Sequence, residues 1–407
     1  MRSGRSVASR LLIAGALLAP AAIAAPAFTV PTEQFDDPAL LVKRTLGNLI
    51  FSDPDLSEPP GQSCASCHSA AAAMADPDPS SPTPEGAVAG RFGSRNAPGL
   101  TYAAFTPPLY FNAIKDTWIG GLFVDGRAAT LEEQAAGPLL NPLEMNNPDR
   151  ASVVAKVARA PYAWLFREVF GEKVFDDTAK AFRHITEALA AFQRGPYFSP
   201  FTSKFDAFMA GKAELTPAEA RGWALFNDMD KGNCANCHLT TPLNDGKTIL
   251  FTDFSYDNIG TPRNPDNPFY DQPARFNPQG RNFVDLGLGG RIVAPELKGQ
   301  FKTPTLRNVA RTAPYMHNGY FSDLKAVVQF YNDRDLRPRC ANARFTREAD
   351  AQAQGCWPEP EVKENVNTSR LGDLGLSDEE IDAIVAFLHT LTDGWRPDAE
   401  PTPSRRR

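Results

Sequence analysis

Cys64-Ala65-Ser66-Cys67-His68 recurs about 170 residues later as Cys234-Ala235-Asn236-Cys237-His238. In each copy the two thiols stand one helical turn apart, close enough to form thioethers with the two vinyl groups of one haem, and the adjacent imidazole then reaches the iron. Zinc sites usually complete such a cysteine pair with a second ligand pair rather than with a histidine directly attached to it, and a plain redox dithiol needs no attached histidine. The two motifs predict two covalently bound haem c groups, held by Cys64, Cys67, Cys234 and Cys237, with His68 and His238 as proximal iron ligands.

The flanking sequence says where such a chain matures. Arg2, Arg5 and Arg10 precede the apolar run LLIAGALLAPAAIA, which reaches Ala22-Ile23-Ala24 before Ala25, the layout of a cleaved secretory signal peptide over residues 1–24. The expected location is the periplasm, where haem c is attached. No later stretch approaches the roughly 20 apolar residues that a membrane span needs, so a chain that does not span the membrane is expected. Losing three arginines and no acid moves the formal charge from −6 to −9, an acidic balance that argues against a nucleic-acid partner. Cys340 and Cys356 have no histidine beside them and, in an oxidising compartment, predict a disulfide that pins their loop.

About 380 residues remain after the leader, enough for two domains. Helical signals recur and strand-like alternation is scarce, so an all-α architecture with long irregular connections is expected. Thr130 with Glu133, Thr216 with Glu219 and Ser377 with Glu380 each have the spacing of a capping box before an apolar-periodic stretch. The stretch GPYFSPF near 195–201 interrupts helical pattern. It suggests a division into 25–197, carrying the first haem, and 198–396, carrying the second, with 397–407 as a disordered tail. The Pro-, Asn- and Gly-rich segment 256–299 is long for an uninterrupted loop, and is expected to cover the second haem or to form a partner surface.

A His-ligated haem carries electrons when a strong sixth ligand closes it and reacts with small molecules when that position stays open. Five histidines exist. Beyond the two proximal ones, His184 and His389 lie in helical runs and read as helix-surface residues, whereas His317 stands in the unusual setting PYMHNG. The loop after the first motif, SAAAAMADPDPSSPTPEGAVAG, has no histidine and only Met74 as a soft ligand, so the first haem is expected to be open. For the second haem Met229, Met316 and Tyr331 are all possible by type, and spacing does not choose among them.

These motifs, together with FVDGRAATLEEQAAGPLLNPLEM between them and KTPTLRNVARTAPYMHNG after the second, resemble the bacterial di-haem cytochrome c peroxidases and MauG-type enzymes over nearly the whole mature chain. The resemblance implies two cytochrome c-like domains facing each other across one calcium ion. The N-terminal haem is then the site of reaction with hydrogen peroxide, and the C-terminal haem stores or passes charge. By position it implies Gln134 and Glu144 on the distal side of the first haem and Asn96, Thr312 and Pro314 as calcium ligands. The family's sixth ligand to the second haem lies fourteen residues after the histidine of the PYxHxG motif, which here is Tyr331. Peroxidases of the family have Met there and MauG-type enzymes Tyr, and a phenolate favours oxidised iron where a thioether raises the potential. The distal histidine that some of the peroxidases carry after the first motif is absent. Where the family's FWDGR motif has an inter-haem Trp, this chain has Val124, and Trp118 is the nearest substitute.

The implied activity is peroxide-driven formation of high-valent iron followed by oxidation of a protein partner, either by MauG-like residue modification or by taking electrons from a donor. One alternative is a peroxide-detoxifying cytochrome c peroxidase fed by a small cytochrome or cupredoxin. A second is a non-catalytic di-haem electron carrier, in which Met74 or another residue closes the first haem.

Overall fold

The computed structural model describes residues 37–243, 245–342 and 344–397. The expected leader and, apart from Pro397, the expected tail lie outside them. Among the described residues twelve α-helices follow in chain order: α1 (Pro38–Phe51), α2 (Cys64–Cys67), α3 (Leu131–Leu140), α4 (Arg150–Arg159), α5 (Ala163–Phe170), α6 (Thr178–Gln193), α7 (Lys204–Met209), α8 (Pro217–Asn227), α9 (Leu288–Arg291), α10 (Leu324–Asp333), α11 (Glu348–Gln354) and α12 (Asp378–His389). No described helix is long and apolar enough to cross a membrane.

The helix starts follow local chemistry. Thr216 with Glu219 and Ser377 with Glu380 form reciprocal capping boxes that satisfy N–H groups left free at the starts of α8 and α12. At α3 the expected reciprocity is displaced. Thr130 accepts from the Glu133 N–H, but the Glu133 carboxylate takes the Ala129 N–H at 2.8 Å instead of that of Thr130.

Two helical cores form. In the first, α1 crosses α6, and Leu46, Ile50, Leu139, Val153, Phe166 and Ile185 are buried together. In the second, α8 crosses α12 around Phe205, Phe226, Phe251, Ile384 and Phe387. Each crossing depends on a glycine. A Cβ on Gly47 would stand 2.0 Å from the Ala188 carbonyl oxygen, and one on Gly222 would stand 1.9 Å from that of Ala383. Only a bare α-carbon lets these backbones touch.

The all-α expectation needs one correction, because two small sheets are present. Strands β1 (Tyr110–Asn112) and β2 (Thr117–Ile119) form an antiparallel hairpin, and β3 (Tyr256–Asp257) pairs antiparallel with β4 (Phe301–Lys302). Runs of two or three residues are too short to show a period of two in sequence. They knit the halves of the chain together: the Gly120 N–H donates to the Phe254 carbonyl at 3.0 Å and the Lys302 N–H to the Val124 carbonyl at 2.9 Å.

Segment 256–299 holds β3 and α9. Its side chains bind the first half of the chain, with Asn267 Nδ2 donating to the Ser94 carbonyl at 2.8 Å and Gln272 Nε2 to that of Gly90 at 2.9 Å. Further on, Cys340 and Cys356 are joined in a disulfide. Beside it lies the fully buried Trp357, whose indole N–H donates to Asp333 at 2.7 Å.

Candidate functional site

The first motif forms the single turn α2, with His68 at its C-terminus. His68 Nδ1 lies 3.0 Å from the Met74 carbonyl, which is turned toward it because Ala73 and Met74 both adopt positive φ, 53° and 64°. An imidazole that donates through Nδ1 keeps Nε2 as its lone-pair nitrogen, the form a metal ligand requires. Burial pushes the His68 pKa down to about 4, so it stays neutral at ordinary pH. Met74 thus stands behind the proximal imidazole. Its side chain belongs to the first core.

The second motif repeats the device. His238 Nδ1 lies 2.9 Å from the carbonyl of Phe251, another residue of positive φ, 53°, and burial lowers the His238 pKa. Burial also pushes the thiols of Cys64, Cys67 and Cys234 up to about 12 and that of Cys237 to about 11. Thiols held protonated in this way are poor nucleophiles and poor redox dithiols. Both turns, with their oriented neutral imidazoles, fit thioether-bound haem. A cavity of about 680 Å³ opens beside Cys67, lined also by Gln62, Asp76, Phe92 and Arg347.

Glu144 lies close enough to the first motif for its charge to act on both Cys64 and Cys67. Asn141 Nδ2 donates to its Oε1 at 2.6 Å. Burial raises its pKa, opposed by that hydrogen bond and by the Arg127 charge. Gln134 is half-buried on α3. Pro138, inside the same helix, has no N–H for the Gln134 carbonyl four residues back.

Tyr331, on α10, faces the second motif. Burial raises its phenol pKa, the charges of Cys237, Cys234 and Asp257 push the same way, and Arg334 opposes them. Of the other candidates by type, Met229 is 59% exposed. Met316, like Tyr331, packs against the cluster around Phe321, Phe330 and Trp357.

Asn96 and Pro314 meet across the chain: Asn96 Nδ2 lies 2.5 Å from the Pro314 carbonyl, and the Asn96 N–H donates to the His317 carbonyl at 2.8 Å. Thr312 sits two residues away, its hydroxyl donating to the Val309 carbonyl at 3.3 Å. Turning the Asn96 amide would present an oxygen to the same space, a hard donor beside the Pro314 carbonyl. The remaining histidines lie elsewhere. His184 is stacked on Phe170 at 4.2 Å with Nδ1 2.8 Å from Glu187, so it is packed rather than a plain surface residue. His389 is exposed.

Sequence reasoning missed the buried charges between the halves. Arg95 pairs with Asp285 and with Asp125, both at 2.7 Å. His317 stacks on Phe301 at 3.7 Å, and its buried Nε2 has no partner among the described residues. Lys302, beside Val124, is pushed down to about 7 by burial against the pull of Asp125. The one available signal was the density of opposite charges in GSRNAP and VDGR, which does not reveal a partner 190 residues away.

Two half-buried CxxCH turns, each with a carbonyl-anchored histidine, define a di-haem c-type protein. Residues 42–214 match the family pattern described as Di-haem cytochrome c peroxidase. The chain is 41% identical over 385 residues to Methylamine utilization protein MauG of Paracoccus denitrificans, covering 93% of this chain and 95% of that relative. It is 33% identical to the protein of the same name from Methylophilus methylotrophus, with 74% and 75% covered. Its fold matches the solved structure of the diheme peroxidase BthA from Burkholderia thailandensis with a TM-score of 0.71 at 36% identity, over 88% of this chain and 87% of that one. The chain belongs to the di-haem cytochrome c peroxidase and MauG family. It is therefore an enzyme acting on peroxide, and membership implies two haem c groups.

Proposed function

We propose that this chain is exported to the periplasm and uses hydrogen peroxide to oxidise a protein partner in the MauG manner. The observation that carries the reading is an asymmetry between the two motifs. A half-buried carboxylic acid, Glu144, stands beside the first, and a half-buried phenol, Tyr331, stands beside the second. Bound haem groups, held by Cys64, Cys67 and His68 and by Cys234, Cys237 and His238, would supply redox-active iron. Glu144 takes a proton from the near oxygen of peroxide and returns it to the far one, so that the O–O bond breaks heterolytically. Gln134 orients the peroxide by hydrogen bonding. Tyr331, as ligand to the second iron, favours its oxidised state, which suits storage of an oxidising equivalent better than a thioether does.

The same proposal assigns residues 25–197 to the first haem domain and 198–396 to the second, after a leader of residues 1–24. It also assigns one calcium ion to Asn96, Thr312 and Pro314, supported by the approach of Asn96 to the Pro314 carbonyl. Activity and haem spectra that survive exhaustive chelation unchanged would refute the calcium site. The deciding experiment on function is low-temperature EPR of the fully ferric protein before and after stoichiometric peroxide. One high-spin and one low-spin signal, both lost on addition, is the expected result. Two low-spin signals indifferent to peroxide would overturn it.

A further inference from the structure

We infer that Arg334 is a positioning residue that holds Tyr331 against the second haem-attachment turn. The inference rests on the reading of Tyr331 as a ligand of the second iron, because a ligand is kept in place by the groups around it. Tyr331 and Arg334 stand one helical turn apart at the end of α10. The last carbonyls of a helix have no partner within it, and here a later part of the chain takes them. The Gly372 N–H donates to the Tyr331 carbonyl at 2.6 Å and the Leu374 N–H to that of Asn332 at 2.9 Å. The Asn332 side chain then brackets Leu376, accepting from its N–H at 2.8 Å and donating to its carbonyl at 3.1 Å.

Arg334 fixes where that returning chain lies. Its side chain is fully buried, and its guanidinium ties three segments together. Nη1 donates to the Ile259 carbonyl, just beyond β3, at 2.8 Å. Nη2 donates to the carbonyls of Asn367 at 2.7 Å and Leu371 at 3.3 Å, and Nε to Asp335 Oδ1 at 2.9 Å. A planar fork with five donors serves all of these at once, and Asp335 balances its buried charge. Gly372 completes the fit. Its φ is +106°, and a Cβ there would stand 2.1 Å from Asp335 Oδ2 and 2.7 Å from Arg334 Nη2.

The loop held by Arg334 also touches the second motif. Asn233, just before Cys234, donates through Nδ2 to the Arg370 carbonyl at 3.0 Å, and the Arg370 side chain hydrogen-bonds Cys237. Asn367 Nδ2 reaches the Asp257 carboxylate, whose charge acts on Cys237 and Tyr331 alike. Residues 367–372 are therefore the spacer between the motif and the end of α10, bonded to both. Arg334 sets the position of that spacer, and with it the distance of Tyr331 from the motif. Arg263, also buried in the second half, makes a different clamp. It donates to the carbonyls of Phe283 and Arg281 and pairs with Glu361 at 3.1 Å, and none of these partners lies on α10 or in 367–372.

The test is low-temperature EPR of the whole, haem-loaded ferric protein. In Arg334→Met, and in Arg334→Lys, which keeps the charge but not the fork, the low-spin signal assigned to the second haem should fall several-fold. A new high-spin signal should replace it, with the signal of the first haem unchanged. Arg263→Met removes another buried arginine and should lower the denaturant midpoint without moving the low-spin signal, which tells general loosening from positioning. Where the Arg334 variants do not accumulate haem, Asp335→Asn decides, at a partly exposed position, and should lower the same signal to a smaller extent. An unchanged signal in folded Arg334 variants or in Asp335→Asn, or an equal loss in Arg263→Met, overturns the clamp. Tyr331→Phe separates this inference from the reading it rests on. If that variant keeps the low-spin signal, the ligand assignment fails and the clamp with it; if it loses the signal while the Arg334 variants keep theirs, the clamp alone fails.

Discussion

Replacing Glu144 by Gln separates chemistry from packing at the first site. The carboxylate Oε1 accepts a hydrogen bond from Asn141 Nδ2 at 2.6 Å. A glutamine amide oxygen can accept the same bond in the same volume, so the loop after α3 should hold its shape. What is lost is the proton shuttle, worth about 10²- to 10⁴-fold in general acid–base catalysis, or about 2.7 to 5.4 kcal/mol of barrier. The expected outcome is a fall of that size in kcat/KM for peroxide, measured by stopped-flow bleaching of the first haem. Burial raises the Glu144 pKa above its ordinary 4.5. Wild-type rates should therefore climb with pH as Glu144 ionises, and the variant should lack that limb. Stability runs the opposite way. A carboxyl with a raised folded pKa contributes its full stability below about pH 4.5 and loses it as pH rises through the folded value. Glu144→Gln escapes this loss, so at neutral pH the variant should melt above wild type, with the gap closing in acid. A fall of less than tenfold in kcat/KM, or a retained pH limb, would refute the assignment of proton transfer to Glu144.

Tyr331→Phe should abolish the low-spin EPR signal assigned to the second haem, and an unchanged signal would remove Tyr331 from the iron. Gly222→Ala places a Cβ 1.9 Å from the Ala383 carbonyl oxygen and forces α8 from α12; overpacking commonly costs about 1–3 kcal/mol, and this contact belongs at the upper end, read as a lowered guanidinium midpoint. Replacing both Cys340 and Cys356 by Ser opens a cross-link across a sequence separation of 16. Loop-closure entropy puts the loss at about 3 kcal/mol, to be compared with wild type by denaturant titration of the haem-loaded protein.

Much of the site was legible because haem attachment is local chemistry. Two thiols and an imidazole within five residues specify the cofactor wherever the chain folds, and the capping residues at Thr216 and Ser377 likewise act on N–H groups three residues away. Other parts were illegible because their partners are distant in sequence. Nothing near His68 announces that Met74 will turn its carbonyl to the imidazole. That depends on two left-handed residues, Ala73 and Met74, in a loop that reads as low complexity. Spacing alone left Met229, Met316 and Tyr331 open, and burial separated the exposed Met229 from the other two. The short strands escaped notice because runs of two or three residues are too short to show a period of two.

The sequence by itself determined two haem-attachment motifs, a net acidic chain, and helices that start at readable caps. Only the tertiary structure decided that Glu144 stands beside the first motif and Tyr331 beside the second, and that Asn96 reaches Pro314 across 218 residues of chain. It also decided that buried charges join Arg95 to Asp285 and Asp125. The physical reason is range. Thioether attachment and helix capping act over a few bonds, whereas burial, charge and the approach of distant carbonyls exist only after the chain has packed.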